Sequence, residues 1–529
     1  MQSNHPKHFD IQKRNHLMKS NNNRRVFAWL LTLCAALPVL ASCGGDATAQ
    51  APIDTNPIAD TVTETAAETE PLDPLEARKL VDDELGEKDL GGYEFRVMVS
   101  EAGGRKNTIW VEGLTGDVVD DAVFERNAAV EERFNCKITL GADYQNYSKL
   151  SPLLTKSVKA GDDVYDLLSF HVVGLGELAL SNYFYNWYDV PNIDFSKPWW
   201  SDSTVNDLTY NGVCPIAVGD MAMSALSAAY CVFYNKKLGE DYDFPDLYAL
   251  VENGEWTIDR VVELTKGIYE DLNGNGTVDT QEDLFGYVSD SNSNLAAYLW
   301  AFDNPVFRRD GDVMEYTFKT EKIGEMVTKL CGIFSTYDGI KFDKNHVNPE
   351  GRGNHDYGRD QFAKGHAVLS NGYISMSLTH FRELQDEYGI LPYPKWDEAQ
   401  ENYYTMSDGN HEALAVPKTV QNIDAVGTIT EAMCAESYKI LVPAYYDVAL
   451  KVKSTRDEQS IAMLDRIVNA RVFDFGFVYH ASKGAAFLIQ DLVNTNNKNF
   501  ESTYAKKEKA ITKHYNNVIE FFETYGENE

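Results

Sequence analysis

The chain has 529 residues, of which 43% are hydrophobic and 12% aromatic, so it can bury a large core and is too long for one ordinary domain. Its formal net charge is −33, from 81 acidic and 48 basic residues. A field of that sign repels nucleic acid and anionic membrane surfaces, so no nucleic-acid partner is expected, and it disfavours a strongly anionic ligand.

Residues 1–42 have the pattern of an export leader. Arg24 and Arg25 precede an apolar run over residues 26–40, too short for a membrane span and ending in small residues. The boundary reads Leu40-Ala41-Ser42-Cys43-Gly44. Leu-Ala-Ser-Cys resembles the bacterial lipobox, which implies acylation of Cys43 (palmitate among the chains) and a place on the outer face of the cell membrane. Met18 stands as an alternative start to Met1. No other apolar run reaches the length of about 18 residues that a span needs, so the lipid is the one membrane attachment expected. Residues 43–89 are expected to form an acidic, disordered tether, with no basic residue between 44 and 77. Five cysteines remain beyond Cys43: Cys136, Cys214, Cys231, Cys331 and Cys434. Their scatter and odd number predict buried free thiols rather than disulfides or a zinc site.

The folded part is expected from about residue 90. Residues 93–99 read as a strand. Val119, Val123, Val130 and Phe134 share one face of a helix over 120–134. A strand at 137–140, a helix at 150–160 and a strand at 163–168 follow. This alternation predicts a parallel α/β unit.

Further along lie three segments in a telling order. The first is Asn211-Gly212-Val213-Cys214-Pro215-Ile216-Ala217-Val218-Gly219-Asp220, with Tyr234-Asn235-Lys236 after it. The second is Gly254-Glu255-Trp256-Thr257-Ile258-Asp259, then Asp271-Leu272-Asn273-Gly274-Asn275-Gly276 and Phe285-Gly286-Tyr287. The third is Phe362-Ala363-Lys364-Gly365-His366-Ala367-Val368, then Asn371-Gly372-Tyr373 and Tyr388-Gly389-Ile390-Leu391-Pro392-Tyr393-Pro394. Together they resemble family 1 extracellular solute-binding proteins of ABC importers, many of which are sugar-binding lipoproteins. The resemblance covers roughly residues 90 to 450. It implies an α/β, two-lobed periplasmic-binding-protein-like fold of type II, with the ligand cleft between the lobes. By analogy, lobe 1 holds residues 90–215 and 367–415, and lobe 2 holds 216–366 and 416–529. It also implies a small-molecule ligand of sugar or oligosaccharide type, permease subunits of an ABC transporter as partners, and a monomer.

Sugar rings stack on aromatic faces while polar side chains bond their hydroxyls. Candidate ligand residues are therefore Phe170 and His171 after the third strand, Trp199, Trp200, Trp300, Tyr373, Tyr445 and Tyr446. Asp220, Asn371, Asn410 and His411 could add polar contacts. Trp256 is instead assigned to packing, with Thr257 as a helix N-cap.

The run from Asp271 to Glu282 fits an EF-hand-like calcium loop. Asp271, Asn273, Asn275 and Asp279 offer side-chain oxygens, Thr277 its carbonyl, Gly276 the turn and Glu282 the closing carboxylate. A structural calcium is expected, with residues 258–270 as incoming helix and a strand after the loop. His346, His355 and His366 match no metal spacing and are expected on the surface. No catalytic pattern is present: there is no G-x-S-x-G, P-loop or H-E-x-x-H. Two other readings share the anchor, acidity and aromatics: an exported glycan-degrading enzyme and a ligand-sensing surface module.

Overall fold

The computed structural model describes residues 74–100, 106–144, 147–311, 313–347, 356–381, 384–451, 458–479 and 484–526. The leader, Cys43, residues 43–73 and His355 lie outside the described residues.

Two separate sheets organise the chain. In the first, Tyr93–Ser100 sits between Cys136–Tyr144 and Leu167–His171, parallel to both, and Glu412–Ala415 pairs antiparallel with Leu167–His171. The predicted strand–helix–strand order is therefore present, with Val118–Phe134 and Tyr147–Ala160 as the connecting helices. Asp117 caps the first helix by accepting the Val119 and Asp120 amides, and Val123, Val130 and Phe134 are buried. The third strand starts later than the expected 163–168. Asp166 is spent on Arg96, accepting its backbone amide at 2.7 Å and its guanidinium at 2.9 and 2.8 Å. An arginine clamp of that kind holds the chain at the sheet edge before the ladder begins.

The second sheet runs Tyr388–Leu391, Tyr230–Asn235, Ala367–Tyr373, Leu284–Ser289 and Tyr269–Glu270, with Ile340–Phe342 also on Leu284–Ser289. Tyr230–Asn235 is antiparallel to both of its neighbours, while Ala367–Tyr373, Leu284–Ser289 and Ile340–Phe342 run parallel. The pairing differs from the expected division of the chain. Residues 367–415 were expected in lobe 1, yet Ala367–Tyr373 and Tyr388–Leu391 hydrogen-bond into the second sheet, and Glu412–Ala415 pairs in the first. The run Ala367–Tyr373 is buried on both faces and needs neighbours on both edges, which Tyr230–Asn235 and Leu284–Ser289 supply. Helix Ile423–Glu436, expected in lobe 2, packs on Val118–Phe134 and Tyr93–Ser100 of the first sheet.

Residues 74–89 also depart from the expected tether. Asp83 takes both guanidinium nitrogens of Arg133 at 2.5 and 2.9 Å, and Leu85 is buried, so this stretch is pinned to the first sheet's helix. The five cysteines are free and buried, as expected. Among the described residues, no helix is long and apolar enough to cross a membrane.

The C-terminal helix Phe500–Glu523 touches both halves. Its first turns pack Phe500 and Tyr504 on Phe318, and Glu508 pairs with Lys319, beside the second sheet's helix Glu321–Thr336. At its far end, the Asn211 amide donates to the Phe522 carbonyl. Tyr525, just beyond the helix, donates to the Phe184 carbonyl. Residues 184–186 run beside the chain leaving Glu412–Ala415, so that end rests on the first sheet.

Candidate functional site

In open α/β sheets, ligands bind outside the carboxyl ends of the parallel strands. Here those ends are His171 on the first sheet, and Ser289 and Tyr373 on the second. The segment crossing between the sheets, Ser407 to His411, passes beside them: Ala229 bridges Ser407, and the Val172 amide donates to the His411 carbonyl.

A continuous polar and aromatic chain links the two sides. On the second sheet, buried Asp290 follows the strand end and accepts the Gly358 amide at 2.6 Å. Arg359 lies 3.5 Å from Asp290 and 3.0 Å from Asp356, with its guanidinium 5.7 Å from the Tyr373 ring centre. Tyr373 meets Tyr230 edge to face at 6.0 Å, and the Tyr230 hydroxyl donates to Asp408 at 2.6 Å. Asp408 also receives the Asn410 amide on its side chain and the His411 amide on its carbonyl. His171 pairs with Glu412, the residue after His411, and caps the helix Val172–Ala179 through Nδ1.

Electrostatics mark the same place. Burial raises the Asp290 carboxyl to about 7, against the pull of Arg359. Burial also lowers His411 to about 4, so its imidazole is neutral at physiological pH. Its Nδ1 lies 2.7 Å from the Asp408 carbonyl, while Nε2 is buried without a partner. A site with aromatic faces, a guanidinium, carboxyls and a neutral imidazole can stack on a ring and exchange hydrogen bonds with hydroxyls of either polarity.

Of the residues named from sequence, His171, Tyr373, Asn410 and His411 come together here. The others do not join them. Phe170 packs in the main hydrophobic cluster, and the Asn371 side chain faces Asn294, whose amide donates to its Oδ1 at 3.2 Å. Trp199 and Trp200 are core side chains whose indole nitrogens both donate to Glu431, at 2.9 Å each. Trp300 is buried and donates to Asp474, and Tyr445 is buried in the second hydrophobic cluster. Asp220 lies by a small cavity near Trp200, and Tyr446 packs at the edge of the second hydrophobic cluster. Indole and phenol rings carry so much apolar area that packing claims most of them. Trp256 is core as expected, donating to the Pro392 carbonyl, and Thr257 caps its helix through the Arg260 amide.

Tyr230, Asp290, Arg359 and Asp408 were missed. Tyr230 lies inside a strand that reads as uniformly buried, and Arg359 and Asp290 meet only through the fold. Asp408-Gly409-Asn410, a turn signature before a strand, was the available signal for Asp408.

The Asp271 loop joins two strands, Tyr269–Glu270 and Leu284–Ser289, rather than leaving a helix. The incoming helix stops at Thr265, where Gly267 and the pairing of Tyr269 with Phe285 end it. Asp271 gathers the amides of Gly274, Asn275 and Gly276, and Gly276 takes φ +72°, the left-handed turn such a loop requires at that position. Asn273 and Asn275 accept the Asn275 and Thr277 amides, Asp279 accepts the Gln281 amide, and Glu282 is exposed. Among the described residues, no three His, Cys, Asp or Glu side chains converge as a metal site, so the oxygen set would include Asn side chains and the Thr277 carbonyl. His346, expected on the surface, is buried between Gln281 and Asp360 at 2.7 Å each and ties the loop's end to the helix Tyr357–Ala363.

No protein-family model matches the chain. No curated protein matches it either. Solved structures do match in fold. The ABC substrate-binding protein Lmo0181 from Listeria monocytogenes, in complex with cycloalternan, is 13% identical with a TM-score of 0.53, over 80% of this chain and 99% of that one. M. tuberculosis UspC is 17% identical with a TM-score of 0.51, over 79% and 100%. A cyclo/maltodextrin-binding protein complexed with maltotetraose is 13% identical with a TM-score of 0.51, over 82% and 98%. The chain has the two-lobed, periplasmic-binding-protein-like α/β fold of these proteins.

Proposed function

We propose that this chain is a solute-binding protein that captures a neutral saccharide between its two sheets and delivers it to the permease of an ABC importer. The observation that carries the reading is the chain of groups from Asp290 through Arg359, Tyr373, Tyr230 and Asp408 to His411, which spans both sheets at their strand ends. Aromatic faces with donors and acceptors of both kinds suit hydroxyl-bearing rings. The fold likeness to proteins solved with cycloalternan and maltotetraose supports the ligand class. Binding shifts the lobes only to the extent that the closed arrangement holds the ligand more tightly than the open one.

The protein acts as a monomer and not as an enzyme. Acylation at Cys43 holds it at the outer face of the membrane, a reading supported by the Leu-Ala-Ser-Cys run. The Asp271 loop takes a structural calcium, supported by the left-handed Gly276 and the folding of three amides onto Asp271.

Thermal unfolding of the full chain with tetrasaccharides tests the binding. A true ligand stabilises by RT ln(1 + [L]/Kd), about 2.7 kcal/mol at a hundredfold excess over Kd. A chain that responds to peptides and to no sugar would be a receptor of another class.

A further inference from the structure

A cavity of about 890 Å³ shares no residue with the strand-end site. Its walls come from the end of the helix Leu247–Glu252, the hairpin of Phe307–Asp310 and Val313–Tyr316, and residues 401–404 and 469–475. Asp207, on Asp202–Leu208, completes it. A smaller cavity of about 330 Å³ adjoins it and shares Asn469 and Arg471.

Arg471 is the hub. Its Nε donates to the Val468 carbonyl at 2.8 Å, and among the described residues no carboxylate forms an ion pair with it. Asp220 lies near enough on the small-cavity side for the two to interact electrostatically. Asp207 accepts the Phe473 amide, and burial together with nearby Asp474 raises its carboxyl to about 7. Tyr403, Tyr404, Phe307 and Phe475 supply ring faces.

The composition selects a ligand. An apolar molecule would strip water from Arg471 and Asp207 without replacing its hydrogen bonds, which is costly. An anion would meet Asp207, Glu252, Asp303, Glu401 and Asp474, and a cation would meet Arg308, Arg309, Arg466 and Arg471. A neutral polyhydroxylated ring donates to carboxylates, accepts from guanidinium groups and stacks on aromatic faces. The volume lies in the range of about 300–1,000 Å³ usual for small-molecule sites. We propose that this cavity is a second saccharide-binding site, separate from the strand-end cleft. For its ligand class the proposal rests on the function proposed above.

Isothermal titration of the full chain with maltotetraose, cellotetraose and xylotetraose tests it. With at least one of these probes, two sites per chain are expected. Tyr404→Ala and Arg471→Gln should each weaken one site at least tenfold and leave the other, while Tyr373→Ala should do the converse. Tyr404 is half-exposed, so its variant keeps the test valid should Arg471→Gln fail to fold. One site, lost in Tyr373→Ala and kept in Tyr404→Ala, overturns the second site alone. One site lost only in Tyr404→Ala supports the cavity and overturns the strand-end reading. No binding of any probe overturns both.

Discussion

Replacing Arg359 with Met removes the cation that stands between Asp290 and Asp356. The side chains of Arg359 and Asp290 are 10% and 1% exposed, so this is a buried pair whose rupture costs about 3–5 kcal/mol when the partner stays charged. Asp290 need not stay charged. Its carboxyl sits at about 7 even with Arg359 beside it, and without that cation it climbs further. Below pH 7 the Asp290 carboxyl is therefore neutral in both proteins, and the loss is that of the Arg359–Asp356 ion pair and of hydrogen bonds, about 3 kcal/mol. Above pH 7 wild type releases the proton in the folded state and the variant does not. The loss then grows by about 1.4 kcal/mol per pH unit until the variant's own pKa is reached. Urea unfolding followed by tryptophan fluorescence should show a loss of about 3 kcal/mol at pH 6 and about 4 kcal/mol at pH 8. Adding Asp290→Asn should abolish the pH dependence. A loss equal at the two pH values, or a double variant as pH-sensitive as the single, would refute the coupling.

His411 titrates at about 4 in the folded protein against 6.5 ordinarily, so its neutral burial stabilises fully above 6.5 and is lost as pH falls toward 4. The stability advantage of wild type over His411→Asn should shrink by about 3 kcal/mol across that window, read from urea midpoints. Glu431→Leu strands the buried indole nitrogens of Trp199 and Trp200 and should cost about 2–4 kcal/mol, with a changed tryptophan near-ultraviolet circular dichroism signal. Chelation followed by calcium addition should lower and restore the melting temperature of wild type. In Gly276→Ala, which forces a side chain into φ +72°, that response should be lost along with about 1 kcal/mol of stability.

Local pattern made the first sheet readable. Val123, Val130 and Phe134 repeat at helical spacing and are all buried, and the strands on either side pair in parallel as alternation demands. The division of the chain was less legible because nothing local in Ala367–Tyr373 says which sheet it enters; its partners lie more than 70 residues away at Leu284–Ser289 and further still at Tyr230–Asn235. Site residues split the same way. His171 follows from a strand end, and Tyr373, Asn410 and His411 from residue type near the cleft positions the family resemblance implies. Arg359 and Asp290 are joined only by tertiary packing. The tryptophans misled because a side chain of that area serves a core as well as a sugar, and Glu431, which settles the role of Trp199 and Trp200, lies more than 230 residues downstream.

The helix Phe500–Glu523 has a mechanical consequence. At 24 residues it is a rod of about 36 Å, pinned near Tyr504 and Glu508 at one end and near Phe522 and Tyr525 at the other. A rod of that length tilting by 10° carries its free end about 6 Å, roughly twice the length of a hydrogen bond. The halves therefore cannot swing by even that much while both ends stay attached. The travel of the jaws is set by whichever anchorage lets go first: the Phe318 ring contacts and the Lys319–Glu508 pair at one end, or the Phe522 ring contacts and the Tyr525 and Asn211 hydrogen bonds at the other.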